Sequence, residues 1–337
     1  MLKKKALNRI FITTVSLFIV FVIYSLNLKD NDVTIYNDTY HITDNDKTNI
    51  YALNNENLLV RTTVYIDNSL SIENKTNEVL NIMIEKNNKN ALLPSDLKPI
   101  LPKNTKINSI KFNNGILKID FSKELLNISE KQSEKMIEAI IYSLSEFDNL
   151  IGIELTVENE LLKYVPNTNK ELPTILTKDF GINKIYNITS NKDINKVLLY
   201  YYSKSNDNLY YVPVTSYVND SREKVEIIVE SLSNYINKTI ISYVDENVKL
   251  LDYKKENNTL QLVFNEEILD EKNTLNMDAI NMIIYSVFNN YEVEKVEILV
   301  NNEKMLEKLR KDTWKILKNV IYLISTDEYL CPSSSAG

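Results

Sequence analysis

One segment of this chain recurs at a fixed distance, and that recurrence constrains the fold more than any other feature. Ile116-Leu117-Lys118-Ile119-Asp120-Phe121-Ser122-Lys123-Glu124-Leu125-Leu126 aligns without gaps on Thr259-Leu260-Gln261-Leu262-Val263-Phe264-Asn265-Glu266-Glu267-Ile268-Leu269, placing Phe121 opposite Phe264 at an offset of 143 residues. The same offset carries Ile140-Ile141-Tyr142-Ser143 onto Ile283-Ile284-Tyr285-Ser286, and Ile153-Glu154-Leu155 onto Val296-Glu297-Ile298. One offset held across a strand, a helix and a second strand describes a duplicated domain, because solenoid repeats recur at roughly 20–50 residues. Features shared by the copies then belong to the fold, and features of one copy alone are candidates for function.

Each copy reads β-α-β-β-α-β, an α+β pattern in which two helices cover one face of a small sheet. In the first copy, Val60–Ile66 is β-rich, and Val79, Ile82 and Met83 at i, i+3, i+4 predict a helix over about Lys75 to Lys86. After a loop carrying Pro94, Pro99 and Pro102 comes a hairpin, Lys106–Phe112 and Ile116–Phe121, turning at Asn113-Asn114-Gly115. Ser129 and Gln132 form a capping box before a helix with Met136, Ile137, Ile140, Ile141 and Leu144 on one stripe, and Ile151–Val157 is the last strand.

The second copy repeats this order, with its first strand elaborated into a hairpin, Val197–Tyr202 and Leu209–Val218, around a Ser203–Asn208 turn. Its helices fall at Arg222–Tyr235 and Asn276–Asn289, its middle hairpin at Val248–Phe264 and its last strand at Val293–Val300. The expected organisation is a basic end and membrane anchor (1–28), a spacer (29–58), domain one (59–161), a linker (162–194), domain two (195–304), and a C-terminal helix and tail (305–337). That terminal helix is read from the spacing of Leu306, Leu309, Thr313, Leu317, Val320 and Ile324.

Lys3, Lys4, Lys5 and Arg9 precede an uncharged run from Ile10 to Leu28. As a helix the run is about 28 Å long, enough to span a bilayer, and its basic flank predicts a cytoplasmic N-terminus with the remainder outside. No small-x-small cleavage site follows it, so we expect a retained single-pass anchor rather than a signal peptide.

Composition narrows the chemistry. A net charge of −7 argues against nucleic acid as a partner, since phosphate binding needs clustered cations. With 4 isolated glycines there is no phosphate-cradling loop, and with Cys331 and His41 the lone members of their types there is no thiolate or His-pair metal site. We therefore expect no cofactor, no metal and no catalytic residue. Glu266, Glu267, Asp270 and Glu271 form an acidic cluster, but neighbours on a strand face opposite ways and do not converge on one bond. Ser122 and Ser129 have no histidine to activate them. The tyrosines are more suggestive: six crowd the hairpin of the second copy, and Tyr202, Tyr210 and Tyr211 are the candidate contact surface, able to stack on sugar rings or anchor a protein.

A family resemblance rests on Val64-Tyr65-Ile66-Asp67, Leu101-Pro102-Lys103-Asn104-Thr105, Ile119-Asp120-Phe121-Ser122 and the helix end Tyr142-Ser143-Leu144-Ser145-Glu146-Phe147. In this order they resemble the GerM domain of endospore-forming bacteria, over roughly residues 60–160 and again over 195–303. The chain departs from the pattern at Asn87-Asn88-Lys89-Asn90 and Asn237-Lys238, where a Gly-Pro is usual, and at Asn289-Asn290, the counterpart of Glu146-Phe147. The resemblance implies a tandem-GerM protein of sporulation and germination, outside the cell membrane, whose domains are similar to ring-building modules of envelope complexes. The expected function is a membrane-anchored, non-enzymatic scaffold acting through protein–protein contacts, with a ring or other homo- or hetero-oligomer as the expected assembly. Its expected partners are envelope complex proteins; a peptidoglycan-binding module is the alternative and a cell-wall hydrolase the third reading.

Overall fold

Where each β-branched run pairs is set by the hairpin turns. The computed structural model describes residues 47–234 and 239–311, together with Val15; every element below lies in the unit that begins at Thr43. Lys47–Leu53 (β1) and Leu59–Tyr65 (β2) form an antiparallel hairpin, followed by α1 (Ile72–Met83), whose N-terminus is capped by the Ser71 hydroxyl accepting from Asn74 N. Ile107–Asn113 (β3) and Ile116–Phe121 (β4) turn through Asn114 and Gly115, at φ 48° and 80°, the left-handed pair that suits the twist of a tight hairpin. A Cβ on Gly115 would also sit 2.5 Å from Ile151 Cδ1. Helix α2 (Glu130–Leu144) carries the chain over to Gly152–Val157 (β5), which pairs parallel to β4, and Glu160–Leu161 (β6) closes the copy.

After a 3-10 turn at Lys178–Phe180 and the short β7 (Ile185–Asn187), the second copy runs β8 (Ile194–Ser205), β9 (Asn208–Asn219), α3 (Lys224–Ser233), β10 (Leu250–Glu256), β11 (Thr259–Phe264), α4 (Met277–Asn290), β12 (Lys295–Val300) and β13 (Glu303–Leu309). The duplication is visible in the register: Phe121 pairs with Val157 and Phe264 with Val300 in the two parallel ladders, the same 36-residue step. Both phenylalanines are fully buried. A helical serine also does the same work in each copy, Ser143 Oγ accepting from Tyr51 N and Ser286 Oγ from Tyr200 N, each at 2.9 Å.

The expected sheet arrangement is corrected in one respect. Each copy was expected to hold one small sheet with both helices on one face, but the described residues form three sheets. β3-β4-β5-β6 and β10-β11-β12-β13 belong to single copies, whereas the first hairpins of both copies join, through β2 and β9, into one five-stranded sheet that includes β7. Merging gives two otherwise unpaired strand edges a partner. Tyr51, Arg61, Tyr211 and Tyr202 are cross-strand neighbours in one row over four strands, so they share one face. Helices α2 and α4 lie on that face, through Tyr142 against Tyr51 and Tyr285 against Tyr211. Helix α3 lies on the other, where Tyr201 Oη donates to Ser231 O at 3.1 Å.

Two boundaries also move. Residues 47–53, assigned to the spacer, form β1 and bury Ile50, Tyr51, Ala52 and Leu53; four consecutive buried residues lie on both faces of the strand, so it has no alternation to mark it. Leu306 and Leu309, assigned to a helical stripe, lie in β13, because Asn301 and Asn302 at φ 50° and 69° turn the chain back along β12. Apart from Val15, the anchor at 10–28 falls outside the described residues, as does the tail from 312 onward; among the described residues no helix is long and apolar enough to cross a membrane.

On the outer face of the β10–β13 sheet, Glu297 accepts from Gln261 Nε2 at 2.7 Å and pairs with Lys295 at 2.9 Å and Lys304 at 3.5 Å. The Lys295 and Gln261 hydrogen bonds outweigh burial and hold its carboxyl at about 2. A carboxyl depressed on folding stabilises above its unfolded value and loses that contribution as pH falls toward the folded one. We predict that denaturation midpoints fall as pH drops from about 4.5 toward about 2, and that Glu297→Gln flattens this part of the pH profile; an unchanged profile would reject the assignment.

Candidate functional site

The tyrosine-rich hairpin and the joint between the copies are one structure. Tyr202, Tyr210 and Tyr211, expected on an exposed surface, are instead 5%, 8% and 6% exposed. The correction has a geometric cause: α4 covers the face that carries Tyr202 and Tyr211, and the first copy covers Tyr210 on the other. Tyr202 Oη donates to Tyr211 Oη at 2.6 Å, and Tyr202 meets Tyr243 edge-on with centroids 5.2 Å apart. Tyr210 Oη donates to Asp96 Oδ1 of the first copy at 2.8 Å. Burial pushes all three phenols above their ordinary value, so they stay neutral.

The hairpin extension reaches the first copy through Ser203, Ser205 and Asn208. Ser205 Oγ donates to Asp96 O at 3.0 Å, Asn208 Nδ2 to Asp96 Oδ2 at 3.2 Å, and Asn54 Nδ2 to Ser203 Oγ at 2.9 Å. The partner of this hairpin is the chain's own first copy.

The strand pairing between β2 and β9 is brief, Arg61 opposite Tyr211, and two residues further on Pro213 has no N–H to give. Asn183 of the linker fills the gap: its Nδ2 donates to Leu59 O at 2.8 Å and to Pro213 O at 2.9 Å, while Leu59 N donates to its Oδ1 at 3.0 Å. Its own N–H donates to Glu138 Oε2 at 2.9 Å, and its φ of 44° is one asparagine tolerates. Because three buried backbone groups depend on this amide, Asn183→Ala should cost about 2–4 kcal/mol. A loss below about 1 kcal/mol in chemical denaturation would show that the backbone closes the gap unaided.

Beside the joint, Glu146 lies 3.5 Å from Arg61 Nη2 and 3.1 Å from Lys178 Nζ, the Arg61 and Glu146 side chains being 3% and 10% exposed. Burial acts to raise the Glu146 pKa, but Lys178 and Arg61 outweigh it and hold the carboxyl below its ordinary value. Sequence reasoning marked Glu146 as a difference between the copies and missed Arg61, Asp96 and Asn183. Asn183 lies in an Asn-rich linker where nothing in the pattern distinguishes it.

The groups weighed for reactivity are engaged locally. Asp270 accepts from Thr274 N at 2.9 Å and from its hydroxyl at 2.7 Å, stapling a loop; Glu266 and Glu267 sit in a 3-10 turn. Ser122 Oγ accepts from Lys106 N, and Ser129 Oγ donates to Gln132. Among the described residues no group of three His, Cys, Asp or Glu side chains could hold a metal ion.

A cleft of about 750 Å³ opens on the shared face where α4 ends, between Tyr142 of α2, Lys178 and Asp179 of the linker, and the Phe288–Glu294 turn. Its floor is Lys196, Leu198 and Thr215. Arg310 closes one side by donating to Phe288 O, Tyr291 O and Val293 O at 2.7, 2.5 and 2.8 Å, placing a cation on the helix C-terminus. Asn290 bonds both the N–H and the carbonyl of Leu198, at 3.0 and 2.7 Å. Asn289 lines this cleft at the position whose counterpart in the first copy, Glu146, is instead tied into the joint.

Each copy runs β-β-α-β-β-α-β-β, the expected β-α-β-β-α-β order with its first strand doubled into a hairpin and an antiparallel strand added at its end, and two such modules joined through a shared sheet define a tandem-module α+β protein. The family model described as "Germane: Sporulation and spore germination" matches residues 49–163 and 198–306, and the chain belongs to this family. The chain is 23% identical over 266 residues to the spore germination protein GerM of Bacillus subtilis (strain 168), an alignment covering 76% of this chain and 72% of that protein. Its fold is similar to the solved tandem GerMN domains of the sporulation protein GerM from Bacillus subtilis, with a TM-score of 0.71, 21% identity, and coverage of 77% of this chain and 92% of the other. The first GerMN domain of the same protein, solved separately, covers 40% of this chain with a TM-score of 0.37 and 19% identity.

Proposed function

We propose that this protein is an extracytoplasmic scaffold of the sporulating cell envelope, held at the membrane by its N-terminal apolar run and acting in sporulation or germination through protein–protein contacts. The observation that carries this reading is the joint. In the described residues Asp96 and Asn183 bridge the modules, and Arg61 and Glu146 pair within the first copy beside the shared sheet, instead of converging on a reactive centre. Such a body presents fixed surfaces, and β3 and β10, at the edges of their four-stranded sheets, are strands on which a partner or a second copy can pair. The similarity to proteins of sporulation and germination supports the stage at which it acts.

A fluorescent fusion followed through sporulation, with cross-linking and mass spectrometry of what it contacts, tests the proposal. Signal gathered at the developing spore and a reproducible set of membrane-complex partners is the expected outcome; uniform signal in vegetative cells with no partner would overturn it. The anchor is tested separately. The protein should pellet with membranes, resist carbonate extraction and retain Met1, and a new N-terminus after Leu28 would make it a secreted protein.

A further inference from the structure

The cleft at the end of α4 continues into an aromatic platform. Tyr186 of β7 and Tyr217 of β9 stack with centroids 4.9 Å apart and planes 9° apart, and Tyr186 is 56% exposed. Tyr217 pairs across the sheet with Lys196, and the next row toward the helix pairs Thr215 with Leu198. Lys196, Thr215 and Leu198 are the cleft floor, so platform and cleft are adjacent on one sheet face.

The lining identifies the class of ligand. Lys178, Lys196, Lys224 and Arg310 are offset by Asp179, Glu292 and Glu294. Two of these cations are already committed, Lys196 to Asp179 at 3.0 Å and Lys178 to Glu146 at 3.1 Å. A site so balanced has no surplus charge for a polyphosphate or a nucleic acid. Its apolar lining, Tyr142, Leu198, Phe288, Tyr291 and Val293, is mixed with polar groups. Asn195, Asn258, Asn289 and Asn290 also line it, Asn289 with its Nδ2 donating to Tyr285 O at 2.8 Å, and its volume falls in the range of ligand sites, roughly 300–1,000 Å³. Polar amides beside an exposed aromatic face suit a ring with an apolar face and hydrogen-bonding edges.

We propose that this cleft and the tyrosine pair beside it bind a neutral N-acetylated glycan strand, one sugar against the Tyr186 ring and its neighbour in the cleft. The site occurs once, at the end of α4, since Glu146 occupies the position of Asn289 in the first copy and is paired with Arg61 and Lys178. This site is separate from the buried tyrosines of the joint and does not depend on the scaffold reading.

The test titrates the full-length protein in detergent micelles with the β-1,4-linked tetramer of N-acetylglucosamine, with cellotetraose and with a zwitterionic pentapeptide, by NMR and calorimetry. We expect the tetramer alone to bind, with shifts confined to Tyr186, Tyr217, Lys196 and Asn289. Tyr186→Ser, at a position 56% exposed, should weaken binding about tenfold while the melting temperature confirms that the variant is folded. Leu251→Ser, 59% exposed on β10, should leave binding unchanged. No tetramer binding at about 10 mM, binding that survives Tyr186→Ser, or preference for the pentapeptide would each overturn the proposal. Equal binding of cellotetraose would remove the acetamide from it.

Discussion

Glu146→Ala is expected to destabilise the protein by about 3–5 kcal/mol, measured by chemical denaturation, because it strips a carboxylate from a guanidinium that cannot reach water. The Arg61 side chain is 3% exposed, whereas Lys178, the other cation on Glu146, is 34% exposed and can turn to solvent. Lys178→Ala should therefore cost far less, about 1 kcal/mol or below. The double replacement Arg61→Leu with Glu146→Leu should recover part of the loss, since it removes both charges from the joint. If Glu146→Ala and Lys178→Ala prove equally mild, the pair is solvated and the joint is not closed as described.

Phe121→Ala and Phe264→Ala should each cost about 3–5 kcal/mol, the range for emptying a fully buried aromatic site. Both side chains are 0% exposed, and each ends the β4- or β11-type strand of its copy at the same step of a parallel ladder. Because the two copies share a sheet, either substitution should lower the midpoint of one common unfolding transition. Calorimetry of Phe264→Ala would contradict this if it split the transition, with the first copy melting at its original temperature.

Much of the fold is legible in the sequence for a local reason. The 3.6-residue stripe of α2 and the Asn114-Gly115 turn are each encoded within a few residues, whereas the expected Ser129–Gln132 capping box does not form, Ser129 Oγ donating to the Gln132 side chain and capping no backbone N–H. The 143-residue offset then transfers each reading to the other copy. The candidate site was far less legible. Alternation puts some of the hairpin's tyrosines on each face, but it does not say what lies over either face; Tyr202, Tyr210 and Tyr211 are a contact surface as expected only in that Tyr210 reaches Asp96 of the chain's own first copy.

By itself, the sequence determined that a module is present twice, which residues form each core, and that Phe121 and Phe264 occupy equivalent places. Those properties follow from periodicity and duplication, both written along the chain. Only the tertiary structure decided that β2 meets β9, that Asn183 substitutes for the N–H that Pro213 lacks, and that Arg61 is closed in with Glu146. Strand edges offer the same N–H and carbonyl groups whatever their side chains, so periodicity names the buried face of a strand but not the edge it will join.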